Sequence, residues 1–237
     1  MVGRKGGCTE RSRRLRTMFR ALLLLLMIHH YVVVSQMVSV WTSVSTFPVV
    51  TGSCFGVIED STTTPASLVY LSHLACGVYR FTPTSTSAQL VAGGSGTCAF
   101  ADSAVGSSAR FFYPTDITSN TLNTVAYISD RDNERVRTLD LATGAVTTLA
   151  GSGTAGNADG VGSLASFYLI YGIVYHKSAG GTLYVADNGS GRIRKVVIST
   201  KNVSTVSTGG CTYLYVTNDG LWLFASSGHA IVRVRIS

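Results

Sequence analysis

Leu149-Ala150-Gly151-Ser152-Gly153-Thr154, followed by Thr182-Leu183-Tyr184-Val185-Ala186-Asp187 and Arg192-Ile193-Arg194, occurs twice in the chain. The earlier copy runs Leu90-Val91-Ala92-Gly93-Gly94-Ser95-Gly96-Thr97, then Val125-Ala126-Tyr127-Ile128-Ser129-Asp130 and Arg135-Val136-Arg137. Ala101-Asp102 returns as Ala158-Asp159, and Ala109-Arg110-Phe111 as Ala165-Ser166-Phe167. The Asp and Arg positions are offset by 57 residues (130 to 187, 135 to 192). Self-similarity at a fixed period is the mark of stacked structural repeats, each unable to bury its apolar face alone.

Within each copy, Leu139 and Leu141, and Leu183 and Val185, alternate with their neighbours as half-buried strands do. Ala142-Thr143-Gly144 and Asn218-Asp219-Gly220 separate such runs, with glycine where a tight hairpin needs positive φ. No amphipathic helix is legible after residue 41. Four short strands per unit predict an all-β fold, a β-propeller of about four blades near 52–92, 93–150, 151–207 and 208–237. Thr51-Gly52-Ser53-Cys54 matches Thr208-Gly209-Gly210-Cys211, and Leu68–His73 matches Leu221–Ser226, so both outer units are in phase. The last unit ends at Ile231–Ile236 without a fourth strand. Val44-Ser45-Thr46, like Val203-Ser204-Thr205, is placed to supply it and close the ring; the alternative is an incomplete piece of a larger ring.

The chain has 237 residues, 46% apolar and 13% charged, with a formal charge of +7. Seven bases and one acid lie in residues 1–20, leaving 12 bases against 11 acids downstream. A nearly neutral body excludes a binding mode that neutralises phosphates, so no nucleic-acid partner is expected. Ala21–Ile28 is an unbroken apolar run behind those bases, the pattern of an export signal. Residues 1–41 therefore read as a signal peptide or, since Ala21–Trp41 is long enough to cross a bilayer, a signal-anchor. Residues 42–237 then lie in the secretory pathway, secreted or displayed at the surface, touching membrane only through the N-terminal segment. Asn188-Gly189-Ser190 and Asn202-Val203-Ser204 are candidate glycosylation sites. Cys54, Cys76, Cys98 and Cys211 are disulfide candidates whose pairing spacing does not choose.

The run Leu-Ala-Gly-x-Gly-x-x-Gly-x-x-Asp-Gly within Leu149–Gly162, the aromatic Phe167, and Leu183–Val196 resemble the NHL repeat. Asp130 and Arg135–Leu139 follow it more loosely; the outer units place His73 and Ser226 where the middle ones have Asp. The resemblance implies a propeller, and with it a binding platform, an RNA reader or an occasional enzyme. In binders of RNA that resemble it, a basic band such as Arg135, Arg137, Arg192 and Arg194 contacts the ligand. The alternative is structural, with Asp130 and Asp187 accepting turn amides and the arginines pairing with acids between blades. Asp102 and Asp159 offer one carboxylate per Gly-rich loop, too few for calcium. A related zinc lyase gathers histidines from separate blades, which makes His73, His176 and His229 weak metal candidates; no cofactor is expected.

The sequence thus predicts a non-enzymatic scaffold for a protein or glycan, with a metal-assisted lyase or hydrolase on the propeller axis as the alternative. The Gly-rich inserts Gly93–Ser108 and Gly151–Ser166 are the expected contact loops, and Tyr113, Tyr168 and Tyr171 the expected anchors.

Overall fold

A computed structural model describes residues 54–94, 96–178, 180–227 and 230–236. The predicted export segment, the predicted closing strand at Val44–Thr46 and His229 lie outside the described residues.

The chain forms four antiparallel sheets in sequence order. The first holds β1 (Cys54–Asp60), β2 (Ser67–Ser72), β3 (Gly77–Phe81) and β4 (Gln89–Gly93). The second holds β5 (Pro114–Ser119), β6 (Val125–Asp130), β7 (Arg135–Asp140) and β8 (Val146–Ala150). In the third, a short β9 (Gly160–Val161) precedes β10 (Ile170–His176), β11 (Thr182–Asp187), β12 (Arg192–Val197) and β13 (Asn202–Thr208). The fourth holds β14 (Leu214–Val216), β15 (Trp222–Ser227) and β16 (Ala230–Arg235). The first strand of each sheet packs on the first strand of the next: β1 on β5, β5 on β10, β10 on β14. Sheets that meet along their first strands radiate from a common axis. The chain is an all-β propeller.

The register shows why the period-2 pattern produces wedges. Ala126 and Ile128 of β6 enter the core shared with the first sheet, alongside Val69, Leu71 and Val78. Tyr127, between them, enters the core shared with the third sheet. β11 repeats this one blade on: Leu183 and Val185 face the second sheet, Tyr184 and Ala186 the fourth. The expectation of half-buried strands is thus corrected for β11, whose six residues are all buried, because the third sheet is covered on one face by the second sheet and on the other by the fourth. Phe111 and Phe167, at matching repeat positions, fill the gap beside each first strand and are fully buried.

Tight turns follow the sequence signals. Gly144 and Gly220 adopt φ of 78° and 69°. The Asp140 carboxylate accepts the amides of Ala142 and Thr143 across the first of these turns, which is ordinary Asx-turn chemistry.

The Gly-rich inserts run along the outer edges of their sheets. The first runs outward, and Ser103 bridges Val146 on β8; the second places β9 against β13. Each insert covers the outer edge of its own sheet, shielding backbone groups that invite aggregation when left open. A disulfide joins Cys76, in the β2–β3 turn, to Cys98 in the first insert, with Cα atoms 5.4 Å apart. Cys211 is buried and Cys54 exposed.

Candidate functional site

The end of each second strand from the second blade on decides how the chain enters that same blade. Asp130 Oδ1 accepts the Phe112 amide at 2.8 Å, and Asp187 Oδ1 accepts the Tyr168 amide at 2.8 Å. In the fourth sheet Ser226 Oγ accepts the Tyr213 amide at 3.0 Å. A carboxylate or hydroxyl is needed because this amide lies before the first strand and has no ladder partner. One side-chain clasp therefore delivers an aromatic residue to the same end of three successive blades. Tyr168 and Tyr213 are exposed there, at 42% and 59%. This end, where β1, β5, β10 and β14 begin, is the mouth.

Across the first three blades the mouth carries a ladder of rings. Phe55 of β1 tilts on His73 at 5.0 Å, and His73 stacks on Tyr113 at 4.9 Å. The Arg131 guanidinium then lies 5.5 Å from the Tyr113 centroid and 5.7 Å from that of Tyr171. A cation between two phenol faces is favoured by both ring quadrupoles. Arg131 Nε also donates to Asp132 Oδ1, and that bond raises its pKa, keeping it cationic. His73 Nδ1 sits 3.1 Å from the Pro114 carbonyl and must donate, since a carbonyl only accepts.

The ladder rests on strained backbone. Tyr113, Leu169 and Glu134 all have φ near +50°, costly for residues with a Cβ. Each strained entry residue has a fixed partner: the Tyr113 amide reaches Cys76 Sγ at 3.5 Å, and the Leu169 amide donates to Glu134 Oε2 at 2.7 Å. Burial pushes the Glu134 carboxyl up to about 7, against the Leu169 hydrogen bond and together with the nearby acids Asp187 and Asp132. Below the mouth, the half-buried Asp116 of β5 accepts the amides of Ile117 and of Ile173 on β10, each at 2.9 Å. Burial pushes this carboxyl up to about 7 despite both bonds.

Beneath the aromatic end lie two copies of one ion network. Arg137 is fully buried, with Nη1 2.5 Å from Asp130 Oδ2 and Nη2 2.6 Å from Asp102 Oδ1. Arg194 repeats this, with Nη1 2.8 Å from Asp187 Oδ2 and Nη2 2.8 Å from Asp159 Oδ1. Asp102 and Asp159 also accept the amides of Thr148 and Thr205, stitching each insert to its outer strand. The expected pairing of these arginines with acids between blades is corrected. Both acids come from the arginine's own sheet and the insert that covers it.

The remaining predicted residues are placed as follows. Tyr113 and Tyr171 flank Arg131, and Tyr168 packs over Gly189. Arg135 donates to the carbonyls of Asn133 and Ser152 and stacks 3.9 Å from the Phe100 centroid. Arg192 donates to the Ser190 carbonyl. The four arginines form no shared band, because Arg137 and Arg194 point into the sheets. His73 is at the mouth and His176 at the far end of β10, six residues down the strand and so about 20 Å away. Among the described residues, no group of three His, Cys, Asp or Glu side chains could hold a metal ion. Asn188 is half-buried and donates to the Cys211 carbonyl and Thr212 Oγ1, whereas Asn202 is exposed. Sequence reading missed Arg131, Phe55 and Glu134. Only the aromatic neighbours of Arg131 in the fold single it out.

No protein-family model matches the chain. Over 100 residues it is 34% identical to NHL repeat-containing protein 2 of Bos taurus, a stretch that is 42% of this chain and 14% of that one. That stretch is similar to the repeats of an NHL repeat-containing protein. An auxiliary nutrient binding protein of Bacteroides thetaiotaomicron shares the fold at a TM-score of 0.56 and 14% identity, matching 73% of this chain and 45% of its own. A nidogen/laminin complex structure matches at a TM-score of 0.56 and 12% identity, over 77% of this chain and 60% of that one. The chain thus spans less than two thirds of the length of each of these proteins.

Proposed function

We propose that this NHL propeller is a non-enzymatic scaffold, exported by its N-terminal segment, that holds a protein partner at the mouth. The observation that carries the reading is the clasp that delivers Phe112, Tyr168 and Tyr213 to one end of three blades, beside the His73–Tyr113–Arg131–Tyr171 ladder. Tyrosine and arginine dominate protein interfaces because they bury large area with few rotatable bonds and keep a polar tip. Neighbours named as a nutrient-binding protein and as a nidogen/laminin complex support a binding use of the fold. Export is supported by the basic and apolar N-terminal run and by the Cys76–Cys98 disulfide, since such bonds persist in oxidising compartments.

The test pairs two measurements. Photo-crosslinking from Tyr168 and Tyr213 on cells that secrete the chain identifies a partner, which crosslinking from Lys201 does not capture. Tyr168→Ala/Tyr213→Ala then weakens binding of that purified partner by about 30-fold, the loss of one interface hot spot. Equal capture from both ends, or unchanged affinity, refutes the reading. Stoichiometric zinc in the purified protein, lost on His73→Ala, would return the metal-assisted lyase or hydrolase instead.

A further inference from the structure

The end opposite the mouth differs between blades in a way that sequence order conceals. In the second sheet most of its hydroxyls and amides serve turns, with Thr121 left exposed: Asn120 Oδ1 accepts the Thr124 amide, and Thr143 Oγ1 donates to Asp140. In the third, Ser178 and Thr182 share a hydrogen bond and Thr200 Oγ1 accepts the Asn202 amide, leaving Ser199 exposed, and in the fourth Thr217 bonds Asp219. The first sheet is different. Its β1–β2 loop reads Ser61-Thr62-Thr63-Thr64-Pro65-Ala66, and its β3–β4 loop reads Thr82-Pro83-Thr84-Ser85-Thr86-Ser87-Ala88. Leu68 of β2 pairs with Phe81 of β3, so these two loops emerge side by side at one end of one sheet.

Thr62, Thr63 and Ser85 have local work: Thr62 donates to Asp60, Thr63 Oγ1 lies within hydrogen-bond distance of the Asp60 and Pro65 carbonyls and Ser67 Oγ, and Ser85 donates to the Ser87 carbonyl. The side-chain hydroxyls of Ser61, Thr64, Thr84, Thr86 and Ser87 have no hydrogen-bond partner among the described residues, and all five residues are exposed. Adjacent spare hydroxyls, on loops that each contain a proline, Pro65 or Pro83, have the composition of O-glycosylated segments. Proline keeps the residue before it extended, which leaves the neighbouring Thr side chain accessible to an enzyme cleft.

We propose that this end of the first blade is an acceptor surface for O-linked sugars, centred on Thr64, Thr84 and Thr86. A threonine Oγ attacks the anomeric carbon of a nucleoside-diphosphate sugar. The C–O bond to the diphosphate breaks, the nucleoside diphosphate leaves with the electron pair, and the hydroxyl proton passes to the transferase base. Sugars here hydrate the end of the blade farthest from the mouth and leave the aromatic end clear. The proposal rests on the exported reading of the chain, so its test separates the two.

The full chain is expressed in cells that perform mucin-type O-glycosylation, stripped of N-glycans, and mapped by electron-transfer fragmentation. The expected result is N-acetylhexosamine on peptides covering 61–66 and 82–88, abolished in Thr64→Ala/Thr84→Ala/Thr86→Ala. That variant spares every hydroxyl with a structural bond and keeps its melting temperature. A secreted chain with bare loops overturns the acceptor surface while export stands. A chain that stays in the cytosol refutes export, and the folded, purified chain offered UDP-N-acetylgalactosamine and a polypeptide transferase then decides the surface: labelled loops sustain it and unlabelled loops overturn it. Phosphate on the same threonines overturns it as well.

Discussion

Replacing Arg194 with methionine tests the wedge at its centre. The change keeps much of the stem that lies against Phe167 but removes the guanidinium, whose carbon sits 5.2 Å from that ring centroid. It deletes the ion pairs to Asp187 and Asp159 and the hydrogen bonds to the carbonyls of Ser166 and Ala158 at 2.9 and 2.8 Å. Asp187, fully buried, is left with the Tyr168 amide on Oδ1 and nothing in place of the guanidinium on Oδ2. Removing one member of a buried pair costs about 3–5 kcal/mol, because the remaining charge has lost both water and partner. For a domain of this size that lowers Tm by roughly 6–20 °C. Asp187→Asn/Arg194→Met recovers part of the loss, since no uncompensated charge is left behind. Arg192→Met, two residues away with one hydrogen bond to the Ser190 carbonyl, changes stability by no more than about 0.5 kcal/mol. Urea unfolding of the four proteins gives the comparison directly. A loss below about 1 kcal/mol for Arg194→Met, or equal losses at Arg192 and Arg194, would refute the assignment of these networks as the fold's internal struts.

Two further outcomes follow from the same structure. Cys98→Ser opens a crosslink spanning 22 residues, which the chain-entropy model values at about 3 kcal/mol; reducing agent lowers the wild-type Tm by the same amount and leaves the variant unchanged. Stability also rises as pH falls from about 8 toward 5. Asp116 and Glu134 have folded pKa values pushed to about 7, above their ordinary 3.8 and 4.5, so each takes up a proton on folding within that window. The gain is about 1–3 kcal/mol for the pair after allowance for the water that reaches Asp116. Asp140 and Asp159 have pKa values lowered by hydrogen bonds, so stability falls again below about pH 4. A flat profile between pH 8 and 5, or one unchanged in Asp116→Asn/Glu134→Gln, contradicts the placement of these carboxyls.

The pH window also bears on the aromatic ladder, because both groups join the second blade to the third: Asp116 through the Ile173 amide and Glu134 through the Leu169 amide. Those contacts fix the relative position of Tyr113 and Tyr171 on either side of Arg131. The aromatic ladder is therefore positioned by the inter-blade seam, whereas Tyr168 is positioned within its own blade by Asp187.

The repeat made the architecture legible because each blade uses the same local chemistry. A strand-ending Asp, a paired Arg seven residues later and a Gly-rich insert recur at 57 residues, and a repeat cannot bury its face without a neighbour. The alternation of Leu183 and Val185 marked a strand but not its second covered face, which exists only once a fourth sheet packs on Tyr184 and Ala186. The same limit governs the site. Arg137 and Arg194 each stand between a buried and a half-buried neighbour in sequence, and although one acid of each pair lies seven residues away, the other, Asp102 or Asp159, is 35 residues away. Tyr113 and Tyr171 were visible as aromatics near the inserts. Their joint hold on Arg131 was not, since ring-to-cation distances depend on how two blades meet and leave no trace in either one's pattern.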